Sequence, residues 1–276
     1  MKLLINSLRL ELIEKKSVDC DNMSIELIGI EDIPLIEEND NLSEIIYDSL
    51  EKNGIKLQDD DILVLAETVV SKAEGNIIKV DDVEVTEEAI EMSEVSKKDA
   101  ELCQIILDNS NDVLRCQEGL IITETKHGFI CANSGIDNSN CKEGYVTPLP
   151  VNPDKSAQKI KEYLDEKYGC DIAVIISDTQ GRAWRVGAIG VAIGVSGIHP
   201  CSDFRGCYDL YNQELQSTIE ATGDELASAA SLLMGQSDNG ICLVLIRGYD
   251  SRFSKCSIND SSIDEIIREK SMDAFR

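Results

Sequence analysis

The hydrophobic positions of the chain change period several times, and each change marks an element. MSIELIGI, from Met23, is a short apolar run that predicts the first strand of a compact domain. Residues 1–22 read as a separate N-terminal extension, and 23–276 as one unit. NLSEIIYDSLEKNG puts Leu42, Ile45, Ile46 and Leu50 on one helical face, with Gly54 placed for a C-terminal cap. DILVLAETVV reads as a buried strand running into SKAEG, a polar turn that carries Lys72. Region 81–118 reads as acidic and mostly helical, with Ser96 and Asp99 spaced as in a capping box. GLIITET and HGFICA predict two strands joined by a short turn near Lys126. A Pro-rich connection at 145–155 leads to IKEYLDEKYG, which is amphipathic and stops at a glycine. IAVIIS and AIGVAIGVSG predict two more strands, the second with bends or close backbone approaches at its glycines. ELQSTIEATGDELASAASLLMG sets Leu215, Ile219, Leu226, Ala230 and Leu233 at helical spacing. CLVLIRG predicts a last core strand and SSIDEIIREK a closing helix. Strands and helices mix without a strict βαβ rhythm, so the pattern predicts an α+β fold.

Composition narrows the functional classes. The 276 residues are 42% hydrophobic and 28% charged, which is the balance of a soluble globular protein with a substantial core. No apolar run approaches the length of a membrane span, and the opening MKLLINSLRLELIEKK is too interrupted by Asn6, Ser7, Arg9 and Glu11 for a signal peptide. A net charge of −26 opposes nonspecific binding to nucleic acid, which needs a surplus of Lys and Arg. An anionic ligand would need a metal or particular basic residues. Ten cysteines without regular spacing and without a CxxC pair predict reduced thiols in a cytoplasmic protein. His199, Cys201 and Cys207 are near one another, at a spacing that fits no zinc motif.

The candidate chemistry lies in HGFICANSGIDNSN (127–140) and ISDTQGRAWR (176–185). Each ends an apolar run with a carboxylate, Asp137 or Asp178, in a turn rich in hydroxyls and amides. Together they make a hard oxygen set suited to Mg²⁺ or Mn²⁺, while either one alone is more simply a turn former. The chain has neither a GxxxxGK[ST] loop nor a GxGxxG opening a helix after a strand, no GxSxG elbow, and only two histidines, His127 and His199. What remains is oxygen-ligand metal chemistry with scattered cations, which suits phosphoryl transfer.

ETVVSKAEG (67–75), ANSGIDNSN (132–140), ISDTQGR (176–182), GVAIGVSG (190–197), DLYNQEL (209–215) and DELASAASLLMG (224–235) resemble, in order and spacing, the coenzyme F420-0:L-glutamate ligases, over about residues 25 to 250. The resemblance implies a two-lobed fold of that family. It also implies a homodimer with active sites near the subunit interface, and a cytoplasmic ligase. Such a ligase joins L-glutamate to the terminal carboxylate of F420-0, with GTP as co-substrate and a divalent metal. Some members add further γ-linked glutamate.

Motif by motif, the resemblance implies that Asp137, Asp178 and Thr179 are metal ligands and that Asn140 contacts the nucleotide. It places Glu67, Thr68 and Lys72 at the nucleotide, Lys72 as a point charge for phosphate. Asp32, Ile33, Pro34 and Leu35 match a nucleotide-contacting turn. Met234, Gly235, Gln236, Ser237, Asp238, Asn239, Gly240 and Ile241 match the loop that closes on guanine nucleotide, a stretch otherwise readable as a helix cap and a turn. At Gln236 the chain departs from the family pattern, which has a glutamate ligand for a second metal. An amide oxygen binds the same ions without the charge, and Asp238 is the alternative ligand. Two further readings stay open: a γ-glutamyl ligase for a folate-like or other carboxylated acceptor, and a nucleotide-binding relative without turnover.

Overall fold

The computed structural model describes residues 24–273 except 252, 253, 255, 258 and 259, so the expected extension at 1–22 lies outside the described residues. A five-stranded sheet has the order β1 (Glu26–Gly29), β12 (Leu243–Arg247), β2 (Ile62–Ala66), β8 (Ala173–Arg182), β9 (Arg185–Ser196). All its pairings are antiparallel except β2 with β8. β2 is central, and Ile62, Leu63, Val64 and Leu65 are almost wholly buried, which is why its sequence is a continuous apolar run. Helices α1 (Leu42–Lys52), α2 (Glu67–Ala73), α5 (Pro153–Tyr168) and α6 (Thr222–Met234) accompany this sheet. Leu42, Ile46 and Leu50 of α1 are buried in its core as the spacing predicts, and Ile45 packs at the edge of it. Asn53 rather than Gly54 is the C-cap residue of α1, Gly54 following at φ +69°.

A second, smaller core gathers Ala89, Met92, Cys103, Ile106 and Ile121. It lies between α3 (Glu87–Ser96), α4 (Ala100–Asp108) and the antiparallel sheet β4 (Ser110–Gln117), β5 (Leu120–Thr125), β6 (Ile130–Ala132). Two short ribbons, β3 (Ile78–Lys79) with β7 (Tyr145–Val146) and β10 (Ser202–Asp203) with β11 (Ile219–Glu220), complete the strands among the described residues. The architecture is α+β with two hydrophobic cores. Among the described residues no helix is long and apolar enough to cross a membrane.

Several boundaries differ from the pattern reading. The run expected as one strand through Val70 breaks at Ala66, and Glu67 starts helix α2, so Lys72 sits in the last turn of a helix. Valines 69 and 70 look strand-like, but they sit on a single-turn face against the core. Ser96 closes α3 and Asp99 is the N-cap of α4 without a side-chain bond, so the two do not form a capping box. The helix expected from Glu214 begins only at Thr222, and Ile219 belongs to β11. SSIDEIIREK forms one 3-10 turn at Ile263–Ile266 in place of the expected closing helix, and a second turn follows at Lys270–Met272.

The glycines of β9 are close backbone approaches. A Cβ on Gly190 would run into the Ala227 carbonyl of α6, and one on Gly194 into Pro153 of α5. A bulge lies between the pairings Ile176–Gly194 and Ser177–Ala192. The extra residue reverses which way successive positions face, so the two glycines back onto different helices. Both helices also grip β9 through a carboxylate in their first turn. Asp154 accepts from the Val195 N–H at 2.8 Å, and Asp224 from the Ala192 N–H at 2.9 Å.

Candidate active site

The central sheet and the small sheet present acidic residues to each other where β2 ends, where β8 passes the bulge in β9, and where β6 runs out. Glu67 is the first residue of α2, directly after β2, and is 7% exposed. Asp178 is not on a loop as expected: β8 continues through Thr179 and Gln180 to Arg182, and Asp178 pairs with Val191 in mid-strand. The nearby bulge lies on the partner strand, where Ile193 of β9 is the extra residue. Asp137 follows a left-handed turn, Asn133 φ 54°, Ser134 φ 56° and Gly135 φ 68°, and is held by reciprocal backbone bonds to Thr147. A side chain at Gly135 would overlap Leu149, so the turn closes tightly onto the large core.

These three carboxylates act on one another. Burial pushes the Glu67 carboxyl up to about 8, with the charge of Asp178 and then that of Asp137 adding to the rise, against hydrogen bonds from Thr68. Burial likewise raises Asp178, helped by Asp137 and opposed by the Gln180 amide and the Thr179 N–H. Thr68 links the group: its hydroxyl donates to Glu67 Oε2 at 2.7 Å and lies 3.5 Å from Asp137 Oδ2. Ser139 donates to both Asp137 oxygens at 2.7 Å, and Gln180 to Asp178 at 2.9 Å. Among the described residues no three His, Cys, Asp or Glu side chains converge as a finished metal site. The donor chemistry nevertheless fits a divalent cation: hard oxygens, mutual repulsion, and local hydroxyl and amide donors that a cation would replace. Cys131 of β6 also feels Asp178, and its thiol, pushed up to about 12 chiefly by burial, stays protonated and is no nucleophile.

Of the remaining expected residues, Lys72, Asn140, Thr179 and Gln236 meet the elements that carry the cluster, whereas Asp32 to Leu35 form no hydrogen bond or ion pair with it among the described residues. Lys72 donates to the Asn140 carbonyl, tying the end of α2 to the loop after Asp137. Asn140 is exposed and left-handed at φ 52°. Thr179 receives a 3.4 Å bond from the Gln236 amide, so the loop from Met234 to Ile241 reaches β8 at the carboxylates. Gly235 ends α6 at φ 71°, where a Cβ would strike the Asn239 side chain; Ser237 donates to that same side chain. Ser237, Asp238 and Gly240 are exposed, while Met234 and Ile241 pack on the core, Ile241 against Gly29. Asp32, Ile33, Pro34 and Leu35 open the connection from β1 to α1. Asp32 pairs with Lys52 at 3.1 Å, Ile33 packs on the core, and Pro34 and Leu35 are exposed. Further along, Glu37 meets Lys142 at 3.6 Å and the Asn39 N–H donates to the Ala73 carbonyl, which brings the connection beside α2 and the Asp137 loop.

Pattern reading alone missed the burial of Glu67 and the work of Ser139 and Gln180. Both latter residues lie inside the quoted motifs, and their polar spacing from each aspartate was the available signal.

The α+β scaffold thus carries a carboxylate cluster, a lysine tied to the Asp137 loop, and a glycine-bounded loop that reaches β8. The chain belongs to the F420-0:γ-glutamyl ligase family, whose model matches residues 30–248. It is 46% identical to the coenzyme F420:L-glutamate ligase of Methanothermobacter thermautotrophicus over 254 residues, 92% of this chain and all of that protein. It is 43% identical to the protein of the same description from Methanocaldococcus jannaschii, over 93% of this chain and 98% of the other. The corresponding figures for that of Methanosarcina mazei are 42%, 92% and 96%.

Proposed function

We propose that the chain ligates L-glutamate to the terminal carboxylate of coenzyme F420-0, with GTP as the energy source and through an acyl phosphate. The observation that carries this reading is the meeting of Glu67, Asp137 and Asp178 with Lys72 and the Gln236–Thr179 contact, in a chain of this family. A carboxylate is a poor acylating agent, because its charge repels nucleophiles and oxide is a poor leaving group. Transfer of the γ-phosphoryl group from GTP to the acceptor carboxylate gives an acyl phosphate and GDP. The glutamate amine then attacks the acyl carbon, the C–O bond to phosphate breaks, the amine loses a proton, and amide and phosphate result. Asp137, Asp178, Thr179 and Gln236 would hold Mg²⁺ or Mn²⁺, which when bound neutralises phosphate oxygens. Lys72 offers a point charge to phosphate once it leaves the Asn140 carbonyl. The loop from Met234 to Ile241 closes over the guanine nucleotide, its entry set by the glycine at 235.

The test is turnover with GTP, glutamate and F420-0, measuring GDP, phosphate and the glutamylated product. One GDP and one phosphate per amide are expected. Turnover only with a folate-like or other carboxylate would move the acceptor, and GTP binding without turnover would make the chain a nucleotide-binding relative. We further propose a homodimer. Trp184 and Val186 at the tip of the β8–β9 hairpin, and Leu210 and Tyr211 between β10 and β11, are exposed apolar side chains of the kind a partner covers. A monomer in sedimentation at micromolar concentration would overturn this.

A further inference from the structure

The segment after β12 returns across the molecule and touches both sides of the site. At one end it is fixed to the large core. Ile263 is buried there, its N–H donating to Asp154 Oδ2 at 3.1 Å, and Ser261 accepts from the Gly197 N–H at 3.2 Å. Glu265 meets His199 Nδ1 at 2.8 Å, just beyond the end of β9. At the other end it reaches the small sheet. Ile267 lies against Gly128 in the β5–β6 turn, and Lys270 pairs with Glu124 of β5 at 2.7 Å.

The last pair is unequal. The Glu124 side chain is 5% exposed and Lys270 is 63% exposed, so a cation from the tail reaches a carboxylate buried in the small sheet. Glu124 pairs with Ile130 of β6, and β6 runs through the left-handed turn to Asp137. Asp154, Gly197 and His199 belong to the frame around β9, whose Val191 pairs with Asp178. The tail therefore spans from the frame that carries Asp178 to the sheet that carries Asp137. The matched family residues end before it, at 248.

We propose that Ser261–Met272 is a strap that holds the Asp137 loop in place against the Asp178 strand, with Lys270 and Glu124 as positioning residues for the metal and phosphate site. This rests on the function proposed above. Removing the Lys270 ammonium takes one tie between the tail and the buried Glu124 away, loosens β5 and β6, and lets Asp137 drift from Asp178.

The test compares the full-length protein with Lys270→Met and Lys270→Arg. Hydrogen exchange over 130–140 is read in metal-free protein, and Mn²⁺ binding by electron paramagnetic resonance. Lys270→Met is expected to speed exchange there and to weaken Mn²⁺ binding, each about tenfold, and Lys270→Arg to restore both. Wild-type exchange in Lys270→Met overturns the strap. Faster exchange with wild-type Mn²⁺ affinity also overturns it, because the contact then only stabilises the small sheet. If the wild type itself binds no Mn²⁺, the metal reading fails, and the strap stands or falls on hydrogen exchange alone.

Discussion

At Glu67, Asp137 and Asp178 the chain holds three carboxylates that disfavour one another's charge, and the folded protein carries that cost. Asp178→Asn is expected to abolish turnover while stabilising the metal-free fold, by about 0.5–2 kcal/mol, as substitutions of strained functional groups commonly do. A urea melt paired with the turnover assay decides it; a destabilised variant would mean that Asp178 holds the bulge together instead. Glu67 gives the pH dependence. Its carboxyl moves from an ordinary 4.5 to about 8, so the folded state binds the proton more tightly than the unfolded state. Its contribution therefore falls as pH rises from about 4.5 to about 8, and is fully unfavourable above that. Denaturation of metal-free Glu67→Gln between these limits should lose that slope, and an unchanged slope would rule Glu67 out as its source. Lys72→Met should weaken GTP binding about ten- to a hundredfold if the ammonium bonds phosphate. Equilibrium titration giving the wild-type affinity would leave Lys72 as only the tie to Asn140. Asp137 and Asp178 were legible in the sequence because polar motif residues surround them. The burial of Glu67 was not, because it depends on α2 starting where the apolar run still continues.

Among the elements, β9 is the one whose glycines are structural in a way its sequence announces. GVAIGVSG is too glycine-rich for an ordinary strand, and both interior glycines face helix backbone. Gly194→Ala would bring a Cβ onto Pro153, whose carbonyl carbon would lie at 2.6 Å, and backbone at the start of α5 yields poorly. The expected cost is about 1–3 kcal/mol, from the usual penalty of overpacking. A shift in urea midpoint at constant slope would register it, and a neutral variant would show that α5 can move off the sheet. Where the elements were misread, local pattern lost to tertiary pairing. TQGR looks like a turn, yet β8 continues through it because β9 pairs with it as far as Arg185. Leu215 and Ile219 fall at helical spacing with α6, yet Ile219 pairs with Asp203 in β11. Conversely β2, α1 and α5 were legible because a central strand and two amphipathic helices write their burial directly into residue period.

On the scale of the whole molecule, a net charge of −26 surrounds a site read as taking an anionic nucleotide. The long-range field repels the ligand, while Lys72 and any bound cation attract it only at close range. Screening weakens the first more than the second, since the Debye length shrinks from about 30 Å at 0.01 M salt to about 10 Å at 0.1 M. The association rate constant for a fluorescent GTP analogue, at fixed Mg²⁺, should therefore rise with KCl, by roughly two- to tenfold over that range. Dissociation, governed by contacts within the site, should change less. Stopped-flow mixing separates the two rates. An association rate that falls with salt would mean that the local positive field dominates the approach, and that the acidic surface is arranged away from the path the nucleotide takes.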